Sequence, residues 1–145
     1  MSREFVLSKL EELGFETEEV GELGYCFKYE DLNVLYMPDG DENFLRFAVP
    51  KICDVTEENK AFVLEVVNDT NLTIKYSKTC IMGEDVWVFC EYRLFSEENL
   101  VDIIEHNLML LQATYYLFYR KIERDDSLLI DGEDDNDDEY KENTI

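Results

Sequence analysis

Two helix starts with nearly the same sequence frame the middle of this chain and constrain the order of its elements. Thr56-Glu57-Glu58-Asn59 opens one run with an apolar stripe, and Ser96-Glu97-Glu98-Asn99 opens another. In each, a hydroxyl at the N-cap can accept a hydrogen bond from a free main-chain N–H, and two glutamates face the positive end of the helix dipole. Because the stretch between them has the pattern of a β-hairpin, we expect helix, two strands and helix in this region.

The residues before Thr56 predict one short helix and a three-stranded meander. Ser2 can cap a helix that carries Val6 and Leu10 on one face, and Gly14 can end it in the left-handed conformation. Period-two alternation and turn residues then predict three antiparallel strands, the last of them ended by Pro50. These strands cover residues 25–30, 34–37 and 44–49.

The residues after Thr56 predict a helix over 56–68 and two strands, 73–76 and 86–94, joined near Gly83. In the second strand, Trp87 and Phe89 share one face while Val88 and Cys90 share the other. Both faces are therefore largely apolar, which is typical of a strand covered on both sides. We expect the helices to lie across one face of the sheet and something further to cover the other.

The last helix carries more apolar surface than one core needs. A continuous stripe runs along it at spacings of three and four residues, and a second stripe is formed by Ile103, Leu110 and Leu117. Two stripes need two partners, so either the sheet wraps the helix or another chain covers it. The helix spans about 24 residues, or roughly 36 Å, which favours a second chain. The residues predicted to be buried between chains, with the domain's own core as the alternative, are Ile104, Leu108, Leu111, Tyr115 and Phe118.

These patterns together predict one α+β domain over residues 1–124, with an antiparallel sheet and helices packed on one face. The element order is α-β-β-β-α-β-β-α. Residues 125–145 are predicted to be an acidic, disordered C-terminal tail, because residues 131–145 hold eight acidic side chains against one lysine and have little to bury.

Charge excludes several classes of partner. The 145 residues include 35 acidic and 13 basic side chains, a formal charge of -22, which repels nucleic-acid phosphates and anionic lipids. Charged residues interrupt the first 13 residues, so no signal peptide is indicated, and the longest nearly uncharged run, 107–119, is too short to span a bilayer. We expect a cytoplasmic protein with no nucleic-acid or membrane partner.

Residue types that carry chemistry are sparse and scattered. Cys26, Cys53, Cys80 and Cys90 form no C-x-x-C pair, and His106 is the single histidine. No nucleophile elbow, glycine-rich phosphate loop or H-E-x-x-H motif is present. We therefore predict no enzyme activity, with no catalytic, cofactor-binding or metal-binding residues.

Three segments resemble the bacterial YbjN family. They are Val67-Asn68-Asp69-Thr70-Asn71, the strand through Trp87-Val88-Phe89, and Phe95-Ser96-Glu97-Glu98-Asn99-Leu100 leading into the last helix. The resemblance covers residues 1–122. That family is similar in fold to type III secretion chaperones, so the resemblance implies an α+β domain that acts by binding proteins. Secretion chaperones of this fold are small acidic homodimers that hold an extended segment of a partner.

The function predicted from the sequence is a non-enzymatic, chaperone-like or regulatory module, homodimeric and without a cofactor. It binds a segment of a partner protein through apolar sheet or helix surface. The alternative is an acidic decoy that imitates nucleic-acid charge and occupies a basic protein. Salt separates the two, because decoy binding weakens steeply with ionic strength whereas apolar binding tolerates salt.

Overall fold

The computed structural model describes residues 2–95, 99–129 and 143, with side chains described up to residue 124 and at residue 143. The predicted cap at Ser96 and most of the predicted tail lie outside these residues. The helices and strands are α1 (Arg3–Glu12), β1 (Glu18–Val20), β2 (Gly24–Tyr29), β3 (Leu32–Tyr36), β4 (Phe44–Asp54), α2 (Lys60–Thr73), β5 (Ser77–Met82), β6 (Asp85–Arg93) and α3 (Leu100–Leu129).

The strands form one six-stranded antiparallel sheet in the order β1-β2-β3-β4-β6-β5. The predicted α+β class, with helices on one face, is confirmed. One strand was missed from the sequence: β1 is a three-residue edge strand whose Glu18 and Glu19 are both exposed. So short a strand shows no apolar alternation, and its pairing with β2 is what makes it a strand.

The start and end of α1 follow the predicted chemistry. The Phe5 N–H donates to Ser2 Oγ at 3.1 Å. At the other end Gly14 has φ +94°, and the Phe15 N–H donates to the Leu10 carbonyl at 3.0 Å. The Phe15 ring then lies 5.0 Å from the ring of Phe27 on β2. The helix stop thus also ties α1 to the sheet.

The second helix begins and ends later than predicted. Thr56 and Asn59 do bond reciprocally, with the Asn59 N–H donating to Thr56 Oγ1 at 3.2 Å, but the helix itself begins at Lys60. It runs through Thr73, so the strand predicted over 73–76 is wrong, and the strand lies at Ser77–Met82 instead. The predicted helix ended at residue 68, yet Thr70 is fully buried in the helix. Tertiary packing overrides local propensity here.

Strand β4 continues past Pro50, where the sequence predicted its end. Val49 pairs with Val88, and regular pairing with β6 resumes only at Cys53 after a register shift. Lys51, inside the shift, has φ +53°. Proline is tolerated at such an irregularity because no ladder hydrogen bond is needed from its nitrogen. Pairing of β4 with β3 is confined to Leu35 with Ala48 and Tyr36 with Phe47.

The main core lies between the sheet and the three helices. It is built from strand residues of one face, among them Phe47 and Val88, together with one face each of α1, α2 and α3. Helix α3 is 30 residues long, longer than the 24 estimated, and both other helices contact it. The Tyr119 hydroxyl donates to the Ile52 carbonyl and links α3 to β4. We call the sheet surface that meets the helices the helix face.

Candidate binding surface

The five residues predicted from α3 all lie in the main core of the single chain. None of them is more than 3% exposed: Ile104, Leu108, Leu111, Tyr115 and Phe118. This is the alternative raised from the sequence, burial within the domain. An interface between two copies on this helix would therefore have to use other residues, such as Met109, which is 58% exposed. The homodimer stays a prediction.

A second apolar cluster occupies the opposite surface of the sheet. It consists of Leu35, Ala48, Trp87 and Phe89, which are between 0% and 7% exposed. Partly buried Val20, Cys26, Met37 and Cys80 pack around it, and no described helix residue belongs to it. We call this surface the helix-free face. The apolar alternation of β6 predicted it, and the structure adds the strands that extend it.

The Trp87 and Phe89 rings are the centre of this face. The two rings stack with their centroids 5.8 Å apart. The Arg46 guanidinium lies 5.3 Å from the centroid of the Phe89 ring. The Glu91 carboxylate forms two ion pairs, one with Arg46 Nε at 3.2 Å and one with Lys78 Nζ at 3.2 Å. Two cations thus share one carboxylate at the border of the apolar cluster, which leaves that border locally positive.

Next to the cluster the sheet has a gap. Beyond Leu35 and Ala48 the strands β3 and β4 no longer pair, and Asn33 lies opposite the irregular part of β4. Strand alternation places the side chain of Asn33 on the helix-free face, together with Leu35. Its main-chain groups face the space that β4 has left. We call this stretch of β3 the open β3 edge.

Asn143 fills the gap. The Asn33 N–H donates to Asn143 Oδ1 at 3.2 Å, and Asn143 Nδ2 donates to the Asn33 carbonyl at 2.7 Å. The Asn33 side chain in turn donates from Nδ2 to the main-chain carbonyl of Asn143 at 2.6 Å. Asn143 is 2% exposed. Its carboxamide takes the place of a neighbouring strand, since it satisfies both main-chain groups of one strand residue.

The outer edge of β5 is closed in the same manner. The Thr79 N–H donates to Asn71 Oδ1 at 2.7 Å, and Asn71 Nδ2 donates to the Thr79 carbonyl at 3.0 Å. Asn71 belongs to α2, so a residue of a helix packed in the core satisfies the main-chain groups of Thr79. At the open β3 edge the same chemistry is supplied from the far C-terminal part of the chain. Nothing in the sequence marks either asparagine for this role.

The cysteines divide between the two faces. Cys26 and Cys80 lie on the helix-free face, half-buried, and burial raises the pKa of both thiols. Cys90 is buried on the helix face, where burial raises the pKa of its thiol to about 12. Cys26, Cys80 and Cys90 carry free thiols. Cys26 and Cys80 therefore report on the accessibility of the helix-free face, and Cys90 serves as an internal reference.

Features that could carry catalysis are few in the described part of the chain. Its His, Cys, Asp and Glu residues form no group of three that could hold a metal ion. His106 is exposed on α3. No described helix is both long and apolar enough to cross a membrane. We therefore take the helix-free face, together with the open β3 edge, as the candidate binding surface.

Comparison with known proteins places the fold. No family model matches the sequence, and no curated protein matches it. Among solved structures, the chain is similar to YbjN of E. coli, described as a proposed transcription regulator, with a TM-score of 0.64, 10% identity, and coverage of 86% of this chain and 94% of that one. It is also similar to an uncharacterised protein from Methanothermobacter thermautotrophicus, with a TM-score of 0.53, 16% identity, and coverage of 83% and 99%.

These likenesses support a YbjN-like fold over most of the chain. At identities this low they speak for the fold alone. The predicted membership of the YbjN family stays a prediction.

Proposed function

We propose that this chain is a non-enzymatic protein-binding module that receives an extended segment of a partner protein at the open β3 edge and across the helix-free face. The partner supplies main-chain hydrogen bonds to Asn33, and its apolar side chains contact the cluster around Trp87 and Phe89. This is recognition by addition of a strand, in which main-chain bonds provide affinity and side-chain contacts provide specificity.

One observation carries the proposal: Asn33 bonds through both main-chain groups to a side-chain carboxamide instead of a strand. An edge that accepts one peptide-like group has the geometry to accept a peptide. The apolar cluster beside it provides the burial that an isolated pair of hydrogen bonds lacks. The YbjN-like fold supports the same class of function, because the sequence resemblance implies proteins that act by binding.

The experiment uses site-specific photo-crosslinking in cells that contain the natural partners. A photoreactive residue replaces Lys28, which is exposed beside Asn33 on the neighbouring strand. The matched control places the same residue at Met109, exposed on α3. We expect a discrete adduct from position 28 and none from position 109. The crosslinked protein is then purified and its affinity measured directly.

Two further measurements test how the partner binds. Asn33→Pro removes the N–H that a strand needs, and we expect it to lower the affinity by about tenfold while circular dichroism shows the fold intact. Raising the salt concentration is expected to change the affinity little. Binding that survives Asn33→Pro but collapses in salt would instead support the acidic decoy. Adducts of equal yield at positions 28 and 109 would contradict the proposal.

A further inference from the structure

The occupant of the open β3 edge belongs to this chain itself. Asn143 is buried and joined to Asn33 by three hydrogen bonds, so the C-terminal part of the chain reaches the helix-free face. The bond from the Asn33 side chain to the Asn143 main-chain carbonyl places the backbone of that segment on this face of the sheet. Four residues of the face, Leu35, Ala48, Trp87 and Phe89, are between 0% and 7% exposed, although every described helix lies on the opposite side.

The length of the chain allows such a path. Helix α3 is 30 residues long, about 45 Å, whereas β4, with its 11 residues, spans about 36 Å. Between Leu129 and Asn143 lie 13 residues, which can reach roughly 43 Å when extended. Thirteen residues therefore allow Asn143 to lie well away from the end of α3.

Charge also favours this occupant. Residues 131–145 carry eight acidic side chains and one lysine. On the helix-free face Arg46 and Lys78 share the single carboxylate of Glu91, and the exposed Lys28 lies on the strand beside Asn33. Glu18, which pairs with Cys26, lies on the same face, so these three cations face two carboxylates and the border keeps a small positive excess.

We propose that Asn143 is a built-in competitor, which holds the C-terminal part of this chain at the open β3 edge, where the partner segment would bind. A partner segment must displace Asn143 from Asn33, so this contact raises the partner concentration that binding requires. This inference rests on the proposed function for the identity of the site that is regulated. The docking of the tail can be tested without any partner.

The test measures accessibility of the helix-free face in the full-length protein. The readouts are hydrogen exchange at the Asn33 amide, alkylation of Cys26 and Cys80 resolved by mass spectrometry, and fluorescence of Trp87, the single tryptophan. In the unmodified chain we expect a protected Asn33 amide. In Asn143→Ala, which removes two of the three hydrogen bonds, exchange and alkylation should rise about tenfold, and Cys90 should stay unreactive.

Asn136→Ala is the matched control, because it makes the same substitution within the same acidic segment. It should leave all three readouts unchanged. Asn143→Asp keeps the acceptor for the Asn33 N–H but loses the donor to the Asn33 carbonyl, so we expect an intermediate increase. An Asn33 amide that exchanges freely in the unmodified chain would overturn the inference, and so would equal effects of Asn136→Ala and Asn143→Ala.

Dilution separates a tail that docks on its own chain from one supplied by a second copy. Intramolecular docking gives protection that is independent of protein concentration, and protection that disappears on dilution would overturn the inference. The crosslinking experiment at Lys28 then separates the two proposals. Suppose that Asn143→Ala removes the protection of the Asn33 amide but gives no partner adduct at position 28. The contact between Asn143 and Asn33 would then be supported, and the proposed function would be refuted.

Discussion

The two faces of the sheet are both apolar, but they are covered by different means. On the helix face, side chains such as Phe118 and Leu108 on α3 pack against Phe47 and its neighbours on the strands. On the helix-free face four buried residues form a small cluster bordered by charged groups. The first face is bound into the fold by three helices. None of the described helices covers the second.

The two asparagine contacts show the same contrast on a smaller scale. Asn71 and Asn143 each satisfy the N–H and the carbonyl of one strand residue. Asn71 sits on α2, which is packed in the core, and Asn143 follows a long acidic stretch. A similar pair of main-chain bonds is thus made by a residue of a core helix at one edge and, at the other, by a residue that follows a long acidic stretch.

The largest effect is expected from truncating the helix face. Phe118→Ala removes a fully buried ring from α3, and the rigid surroundings cannot close the resulting cavity. We expect the free energy of unfolding to fall by about 4 kcal/mol, measured by urea denaturation followed by circular dichroism. A loss below about 1 kcal/mol would mean that α3 is not part of the main core.

A smaller effect is expected from the matching change on the helix-free face. Phe89→Ala removes a ring that contacts Trp87 and Arg46 but no described helix. We expect a loss of about 2 kcal/mol in the same denaturation experiment, together with a changed Trp87 emission. If Phe89→Ala costs as much as Phe118→Ala, the two faces are equally integral to the fold and the contrast between them fails.

The contact at the β5 edge can be tested with Asn71→Ala. The variant leaves the Thr79 N–H and carbonyl at the edge of β5 without their present partner. We expect the free energy of unfolding to fall by about 1.5 kcal/mol. Asn143→Ala should cost no more than about 1.4 kcal/mol, which corresponds to the tenfold loss of protection expected at Asn33, and it should leave exchange at Thr79 unchanged. Faster exchange at both Asn33 and Thr79 in either variant would erase the distinction between the two edges.

A stabilising change is expected inside the helix face. Cys90 Sγ donates to Asn107 Oδ1 at 3.2 Å, and Asn107 Nδ2 is buried without a hydrogen-bond partner among the described residues. Asn107→Leu replaces this amide with an apolar side chain of similar branched shape, so we expect a gain of about 1 kcal/mol by urea denaturation. A loss of stability would show that the helix face needs this polar group.

The sequence predicted correctly those features that depend on interactions between residues close together in the chain. Ser2 and Gly14 bound α1 because a hydroxyl cap and a left-handed glycine act within a few residues of their own position. The alternation in β6 separated Val88 from Trp87 correctly, because side chains of a strand point to opposite faces. The α+β class and the helices on one face followed from such signals.

Errors arose where a distant contact outweighs the local pattern. Pro50 ends a strand in an average sequence, but here β6 continues to hold β4 beyond the irregularity. Residues 73–76 have the composition of a strand start, yet α2 extends through Thr73, with Thr70 buried and Asn71 bonded to β5. β1 exists only through its pairing with β2.

The candidate site was likewise predictable from the sequence only in part. The apolar stripe on α3 could be read from the sequence, but whether it faces a sheet or a second chain depends on which surface is nearest in space. The sequence by itself determined the fold class, the charge and the two apolar sides of β6, since each is a property of neighbouring residues. Only the tertiary structure decided that α3 fills the domain's own core and that Asn143 meets Asn33, because those contacts join residues far apart in the chain.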